Sequence, residues 1–405
     1  MAVRENKRRK LATLLEPEKE NYENIMNRLP SQIMGDILLR VSSSIKTLSP
    51  LKSVCKSWYQ IISDPYFTRN LNLLISNDYS GKTCLIQVEK DLISPPKSVS
   101  VSDDIDFQVK LKPFRSSGCP IGSCHGLLCF ERNLLKTYIV NPVLGSDNLV
   151  MLPSLKYKFP SLYPVRDFTL MGFGFCPKTN QYKVIRFIRW TSRVYIYTLG
   201  TDDSWREIED LPTDRFTSGL PGVYLNAVLH WLTYPRRIKF DDRKPEIYCF
   251  DVETEKSHQL DLLPQLPQGR NHLVGLRLGV FHNCLALYIN GGCFPEAQGN
   301  FFSNFDIWVM KDGKSWANIF RISGVIPASS VWSRAEPLML TKDGNSLIVY
   351  VDEDRCRLLK YFDLRTGENI TDRRLTGIYG GRFNTYVATL VSPKHIIKRS
   401  TFHNF

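Results

Sequence analysis

The sequence predicts a mainly β fold: a small N-terminal α-helical unit followed by a β-propeller-like domain of about six four-stranded blades. Three observations carry that prediction. From about residue 120 a strand-and-turn theme returns every 53 to 59 residues, read at Tyr138, Tyr195, Tyr248, Ile307 and Tyr361, and such periods belong to propellers and solenoids. The clearest unit, residues 172–212, holds four runs rich in β-branched and aromatic residues, the strand count of one blade. Before residue 70 the apolar residues instead recur at spacings of three and four, which is helical.

Composition sets the outer limits. The chain has 405 residues and is 43% hydrophobic, enough for about two domains. Residues 1–24 are charged and polar and read as a solvated tail, residues 25–70 as the helical unit, 71–398 as the propeller and 399–405 as a second tail. The formal charge of +13 divides into +1 over residues 1–24, +4 over 25–70 and +8 over 71–405. Acids are interleaved throughout and no nucleic-acid motif occurs, so nucleic acid is not the expected partner. Ten cysteines are too sparse for a disulfide scaffold, and none stands in a CxxC pair. No run approaches the roughly 20 apolar residues that span a bilayer, and the start lacks an apolar core of signal-peptide length. The expectation is an intracellular protein of the nucleus, the cytoplasm or both, with no membrane partner. The cluster Lys7-Arg8-Arg9-Lys10 has the composition of a nuclear import signal.

In the helical unit, Ile33, Met34, Ile37, Leu38 and Val41 line one face of a first helix with Ser31 as its N-cap, and Ser42-Ser43-Ser44 ends it. A second helix starts with Ser49 as cap and Pro50 as first helical residue, where the missing N–H costs nothing. Leu51, Val54, Cys55, Trp58, Ile61 and Ile62 continue its period until Asp64-Pro65 stops it. Two or three short helices cannot enclose all these side chains, so part of the apolar surface must be covered by something else.

The order Leu29-Pro30, Ile37-Leu38, Val54-Cys55-Lys56-Ser57-Trp58, Ile61-Ile62, Asp64-Pro65, Phe67 resembles the F-box, the helical motif by which substrate receptors dock on the Skp adaptor subunit of Skp/cullin/F-box ubiquitin ligases. The resemblance implies adaptor contact, and through the adaptor a cullin, at Leu29, Pro30, Ile33, Ile37, Leu38, Leu51, Val54 and Trp58, some of them shared with the unit's own core.

In the propeller, the unit at 172–212 predicts strands at 170–175, 182–189, 194–199 and 204–208, separated by Pro177-Lys178-Thr179-Asn180 and Thr201-Asp202-Asp203 turns. Further units begin at 122, 222, near 278 and near 337. Strands at 83–88 and 105–111, with 385–391, predict a sixth blade shared by the two ends of the domain, which closes the ring and hides its edges. The stretches GSCHGLLCF, GFGF…YKVIRF, SWREI, GVYLNAVLHWL and FDVETEK resemble the F-box-associated, kelch-like domain of plant F-box proteins. Together the two resemblances imply a non-catalytic receptor that presents a protein target to a ligase and needs no cofactor. The competing class is a propeller scaffold, or a nucleic-acid- or glycan-binding propeller, acting without a ligase.

Gly122-Ser123-Cys124-His125-Gly126 has the Gly-x-Cys-x-Gly form of a nucleophile elbow. An elbow needs a helix directly after the nucleophile, whereas Gly126-Leu127-Leu128-Cys129-Phe130 is a strand pattern, so catalysis is not expected. Cys119, Cys124, His125 and Cys129 do not converge as metal ligands, because five-residue steps on strands alternate between faces. His230, among buried-strand residues, reads as a hydrogen-bonded core histidine.

Strand order assigns the remaining function to loops. In an up-and-down blade the connections from strand two to three and from four to the next blade share one face. Here those connections are long and carry Tyr163, Arg166, Trp190, Arg193, Arg236, Arg237, Phe294, Trp332, Arg334 and Arg382, the aromatic and arginine types that dominate interface hot spots. That face is the expected substrate-binding face, and its arginines suit an acidic or phosphorylated protein partner.

Overall fold

The computed structural model describes residues 29–41, 48, 50–64, 67, 83–88, 97–99, 119–132, 136–144, 148–156, 169–188, 193–208, 215–217, 221–235, 245–260, 276–290, 304–323, 334–341, 344–353, 356–374, 382–387 and 389–400. The chain divides into two compact units, Met1–Asp78 with Thr389–Val391, and Tyr79–Ala388 with Ser392–Phe405.

The first unit contains α1 (Ser31–Val41) and α2 (Lys56–Ser63). Helix α1 begins with Met34 N–H donating to the Pro30 carbonyl at 3.1 Å, so Ser31 is its first residue rather than its cap. Met34, Leu38, Leu48, Ile62 and Phe67 are buried. At Gly35, α1 comes close enough to its neighbours that an added Cβ would lie 3.7 Å from Ile61 and 3.8 Å from Phe67. The second helix differs from its sequence pattern. Leu48, Pro50 and Leu51 are helical, with Lys52 N–H donating to the Leu48 carbonyl at 3.3 Å, but the chain then makes tight turns, with Ser53 N–H donating to the Pro50 carbonyl and Val54 N–H to that of Leu51. It then extends at Cys55 (φ −157°, ψ 168°) before α2 begins. One extended residue leaves the apolar spacing unchanged, so the break is invisible to periodicity.

The described residues of the second unit form six antiparallel sheets. Strands β1 (Thr83–Val88) and β2 (Lys97–Val99) come first. Blade I is β3 (Cys119–Cys124), β4 (Leu127–Arg132), β5 (Lys136–Val140) and β6 (Val150–Met151). Blade II is β7 (Thr169–Cys176), β8 (Gln181–Ile188), β9 (Arg193–Thr198) and β10 (Arg206–Ile208). Blade III is β11 (Arg215–Thr217), β12 (Val223–Leu225), β13 (Val228–Pro235), β14 (Glu246–Asp251) and β15 (Ser257–Leu260). Blade IV is β16 (Leu276–Phe281), β17 (Cys284–Asn290), β18 (Asn304–Lys311) and β19 (Ser315–Ser323). Blade V is β20 (Arg334–Leu340), β21 (Ser346–Glu353), β22 (Cys356–Asp363) and β23 (Asn369–Arg374). The sixth sheet has three strands, with β24 (Arg382–Val387) paired to β1 and β1 to β2. A short helix, α3 (Pro393–Ser400), follows.

The described residues thus form five full blades and, where a sixth blade shared by the two ends is expected, one three-stranded sheet. Strand β1 runs against β24 from Thr83↔Val387 to Val88↔Arg382, so the two ends of the domain meet as the sequence predicts; the predicted strand at 105–111 lies outside the described residues. Strand β24 touches both β3 and β20, and β3 touches β7, which makes β24 the inner strand of the closing sheet. Blade III contains five strands only because its inner strand is interrupted: β11 and β12 pair with opposite ends of β13. Between them Gly222 N–H donates to the Met171 carbonyl of blade II at 2.9 Å, rather than to β13.

Apolar cores lie between blades. Blades II and III share Ile185, Ile196, Leu229, Trp231, Tyr248 and Phe250, and blades IV and V share Tyr288, Phe305, Ile307, Leu347 and Val349. Each such side chain contributes roughly 1.5 to 3 kcal/mol by leaving water. The GFGF run makes this packing tight: a Cβ on Gly172 would sit 2.5 Å from Trp231 Cζ2. The blade I–II interface also holds charge. The fully buried Arg186 guanidinium donates to Thr137 Oγ1 at 2.9 Å, pairs with Glu131 at 3.0 Å and lies 5.3 Å from the Trp205 ring. Between blades II and III, Lys183 Nζ donates to the Val252 carbonyl at 2.8 Å and to Glu255 at 2.7 Å.

Candidate functional site

The elbow-like motif is a hairpin. Strand β3 ends at Cys124 and β4 starts at Leu127, with Cys124↔Leu127 paired across a two-residue turn. Both turn residues take the left-handed conformation, His125 at φ 41° and Gly126 at φ 80°, the geometry of a two-residue hairpin. No helix follows. Cys124 is buried and burial pushes its thiol well above the ordinary range, the reverse of what a thiolate nucleophile needs. The turn is held by two tyrosines: Tyr182 Oη donates to the His125 carbonyl at 3.0 Å and Tyr386 Oη to that of Gly126 at 3.1 Å. The His125 ring rests 4.4 Å from Phe175 of blade II and 6.2 Å from Tyr224 of blade III. Cys129 is likewise buried, with its thiol pushed well up by burial. Among the described residues no group of three or more His, Cys, Asp or Glu side chains is placed to hold a metal ion. His230 is a core residue, with Nδ1 3.2 Å from the Val223 carbonyl and burial lowering its pKa to about 4.

The helical unit offers a different kind of site. Its first helix is apolar on two sides. Met34 and Leu38, one turn apart, point into the core, while Ile33 and Ile37, offset by one residue, are 47% and 39% exposed. Val54 is 60% exposed, because the break at Cys55 takes it off the face that α2 buries. Pro30 is exposed, and Leu29, Leu51 and Trp58 are half-buried. Of the eight residues predicted for adaptor contact, Leu38 alone is buried, at 2%, as part of the unit's own core. The pattern missed Tyr59, which is 49% exposed and has Lys52 Nζ 6.0 Å from its ring centroid. The i, i+4 step from Cys55 to Tyr59 on the real helix signals it. Lys52 is itself half-buried, and desolvation lowers its pKa to about 8.

The loop face is described at its strand ends. Tyr163, Arg166, Trp190, Arg236, Arg237, Phe294 and Trp332 lie outside the described residues. Arg193 opens β9, and its exposed guanidinium lies 3.3 Å from Glu207, an exposed pair worth little in stability. Arg334 opens β20 and Arg382 opens β24. The antiparallel order within each blade puts the starts of the first and third strands on the face of the long connections. On the opposite face lie short turns such as His125-Gly126, Asn226-Ala227 and His282-Asn283, all left-handed.

With that geometry in place, comparison with known proteins adds two matches along the chain. Residues 26–74 match the F-box-like family and residues 72–379 match the F-box associated beta propeller domain family. An F-box protein of Arabidopsis thaliana is 26% identical over 396 residues, covering 85% of this chain and 87% of that protein. An F-box/kelch-repeat protein of the same organism is 23% identical over 325 residues, covering 74% and 80%. A second F-box/kelch-repeat protein from it is 22% identical over 348 residues and covers 77% of each.

Proposed function

The chain belongs to the F-box proteins that carry an F-box associated β-propeller domain, and from that premise we propose that it is the substrate receptor of a Skp/cullin/F-box ubiquitin ligase. In this reading the helical unit docks on the Skp adaptor through Ile33, Ile37 and Val54, rimmed by Leu29, Pro30, Leu51, Trp58 and Tyr59. The propeller holds the protein target on its long-loop face. Ubiquitin transfer belongs to the associated enzymes, so this chain contributes binding and orientation rather than bond chemistry, and it acts in the nucleus or cytoplasm where those enzymes work.

The observation that carries the reading is the two-sided apolar character of α1. A helix that buries Met34 and Leu38 yet leaves Ile33 and Ile37 in water keeps apolar area whose burial releases roughly 1.5 to 3 kcal/mol per side chain only when a partner covers it. The test is co-expression with a Skp adaptor and affinity capture. Wild type is expected to bring the adaptor down, and I37E/V54E to lose it while melting at an unchanged temperature. Full capture by that variant overturns the docking face.

A further inference from the structure

We propose that Lys52 is the charged anchor of the docking face on the helical unit, and that the apolar partner surface it meets carries an aspartate or glutamate carboxylate that closes over the Lys52 ammonium and the Tyr59 ring. The inference deepens the receptor reading and rests on it for the identity of the partner as a Skp adaptor.

The local chain sets a cation among exposed apolar side chains. Lys52 lies in the tight turns before the extended residue Cys55, with its backbone N–H bonded to the Leu48 carbonyl. Two residues later Val54 is 60% exposed, and on α2 the Tyr59 ring, 49% exposed, has its centroid 6.0 Å from Lys52 Nζ. Lys56, one turn further on, is an exposed and ordinary solvated charge, whereas Lys52 is half-buried. Its surroundings remove water without supplying a counter-charge: desolvation lowers its pKa to about 8, with no carboxylate attraction set against it. The Tyr59 ring attracts the ammonium through its quadrupole and carries no net charge of its own.

A partner that covers Val54 and Tyr59 strips the remaining water from Lys52. An ammonium buried without a counter-charge is strongly unfavourable, so a partner matching the apolar side chains alone would lose at Lys52 part of what it gains at Ile33, Ile37 and Val54. A carboxylate at that point converts the loss into a charge-assisted hydrogen bond in a water-poor site. It also fixes the register of the two surfaces, which apolar contacts alone leave loose.

The experiment measures affinity for a Skp adaptor by calorimetry, using the full chain as wild type, K52M and K52E, each checked for an unchanged melting temperature. Methionine keeps an unbranched stem and removes the charge, so the sign of its effect separates the alternatives. K52M is expected to bind about tenfold or more weaker, because the adaptor's carboxylate is left buried and unpaired, and K52E about a hundredfold or more weaker through like-charge repulsion. Tighter binding by K52M means a purely apolar partner surface, and equal binding means that Lys52 lies outside the interface; either result overturns the proposal. Single Asp→Lys and Glu→Lys reversals on the adaptor complete the test. At least one is expected to weaken wild type and restore K52E, and restoration by none of them overturns the proposal as well. Failure of the folded wild type to bind the adaptor overturns instead the receptor reading on which it rests.

Discussion

The two units dispose of their apolar surface in different ways. Among the described residues, the strongly exposed large hydrophobic side chains are Ile33, Ile37, Val54, Tyr59, Met151, Val280 and Ile370. Four of them fall between residues 33 and 59, while the other three sit singly in blades I, IV and V. Scattered exposure of that second kind is normal for any folded surface. In the propeller each sheet has another sheet to cover each face, and the cores between blades close on themselves. The described residues of the helical unit form short helices around one core, so a helix that is apolar on two sides leaves one side over. In the proposed receptor reading, that contrast separates surface available to a partner from surface consumed in folding.

The contrast is sharpened first by the largest effect, in the propeller. Arg186→Met removes one member of a buried pair and leaves Glu131 as a buried carboxylate between blades I and II. Thermal unfolding is expected to register a loss of about 3 to 5 kcal/mol, with E131Q/R186M less damaged than R186M alone; a loss under about 1 kcal/mol contradicts the assignment of that pair. Within α1 the same logic splits neighbours. Leu38→Ala is expected to cost about 2 to 5 kcal/mol through a core cavity, and Ile37→Ala to stay within about 0.5 kcal/mol, although the residues are adjacent. Equal effects in a denaturant titration break the two-sided picture of the helix.

A smaller effect probes blade contact. Gly172→Ala pushes a methyl group toward Trp231 and is expected to lower stability by about 1 to 3 kcal/mol. The smallest is a pH dependence. His230 has its pKa lowered to about 4 by burial, below the roughly 6.5 of the unfolded chain. The neutral imidazole is therefore favoured by folding, and the unfolded state alone takes up a proton as pH falls below about 6.5. Its contribution is present in full above that value and is lost progressively toward pH 4. Urea midpoints at pH 7 and pH 5 are expected to differ less in His230→Asn than in wild type; an identical pH difference in both contradicts this.

Much of the propeller is legible because period and strand pattern agree. Tyr138, Tyr195, Tyr248, Ile307 and Tyr361, which set the repeat, all occupy the third strand of their blades. The strands predicted for blade II start within a residue of those observed in three cases out of four. The failures have local causes. A bond from Gly222 to the previous blade interrupts the inner strand of blade III, and no pattern within that strand announces a bond to another sheet. The extended backbone at Cys55 breaks the second helix without disturbing its period, so Val54 and Tyr59 change surroundings while the sequence spacing stays helical. Leu38 and Ile37 are alike in chemistry, and which of them faces the core depends on where α2 packs.

Calorimetric titration of the full chain with a Skp adaptor, for wild type and for I33E/I37E, reaches the core of the account directly. It predicts saturable one-to-one binding by wild type and none by I33E/I37E, with both proteins melting at the same temperature. Equal affinity in the two proteins, or no binding by a folded wild type, contradicts it.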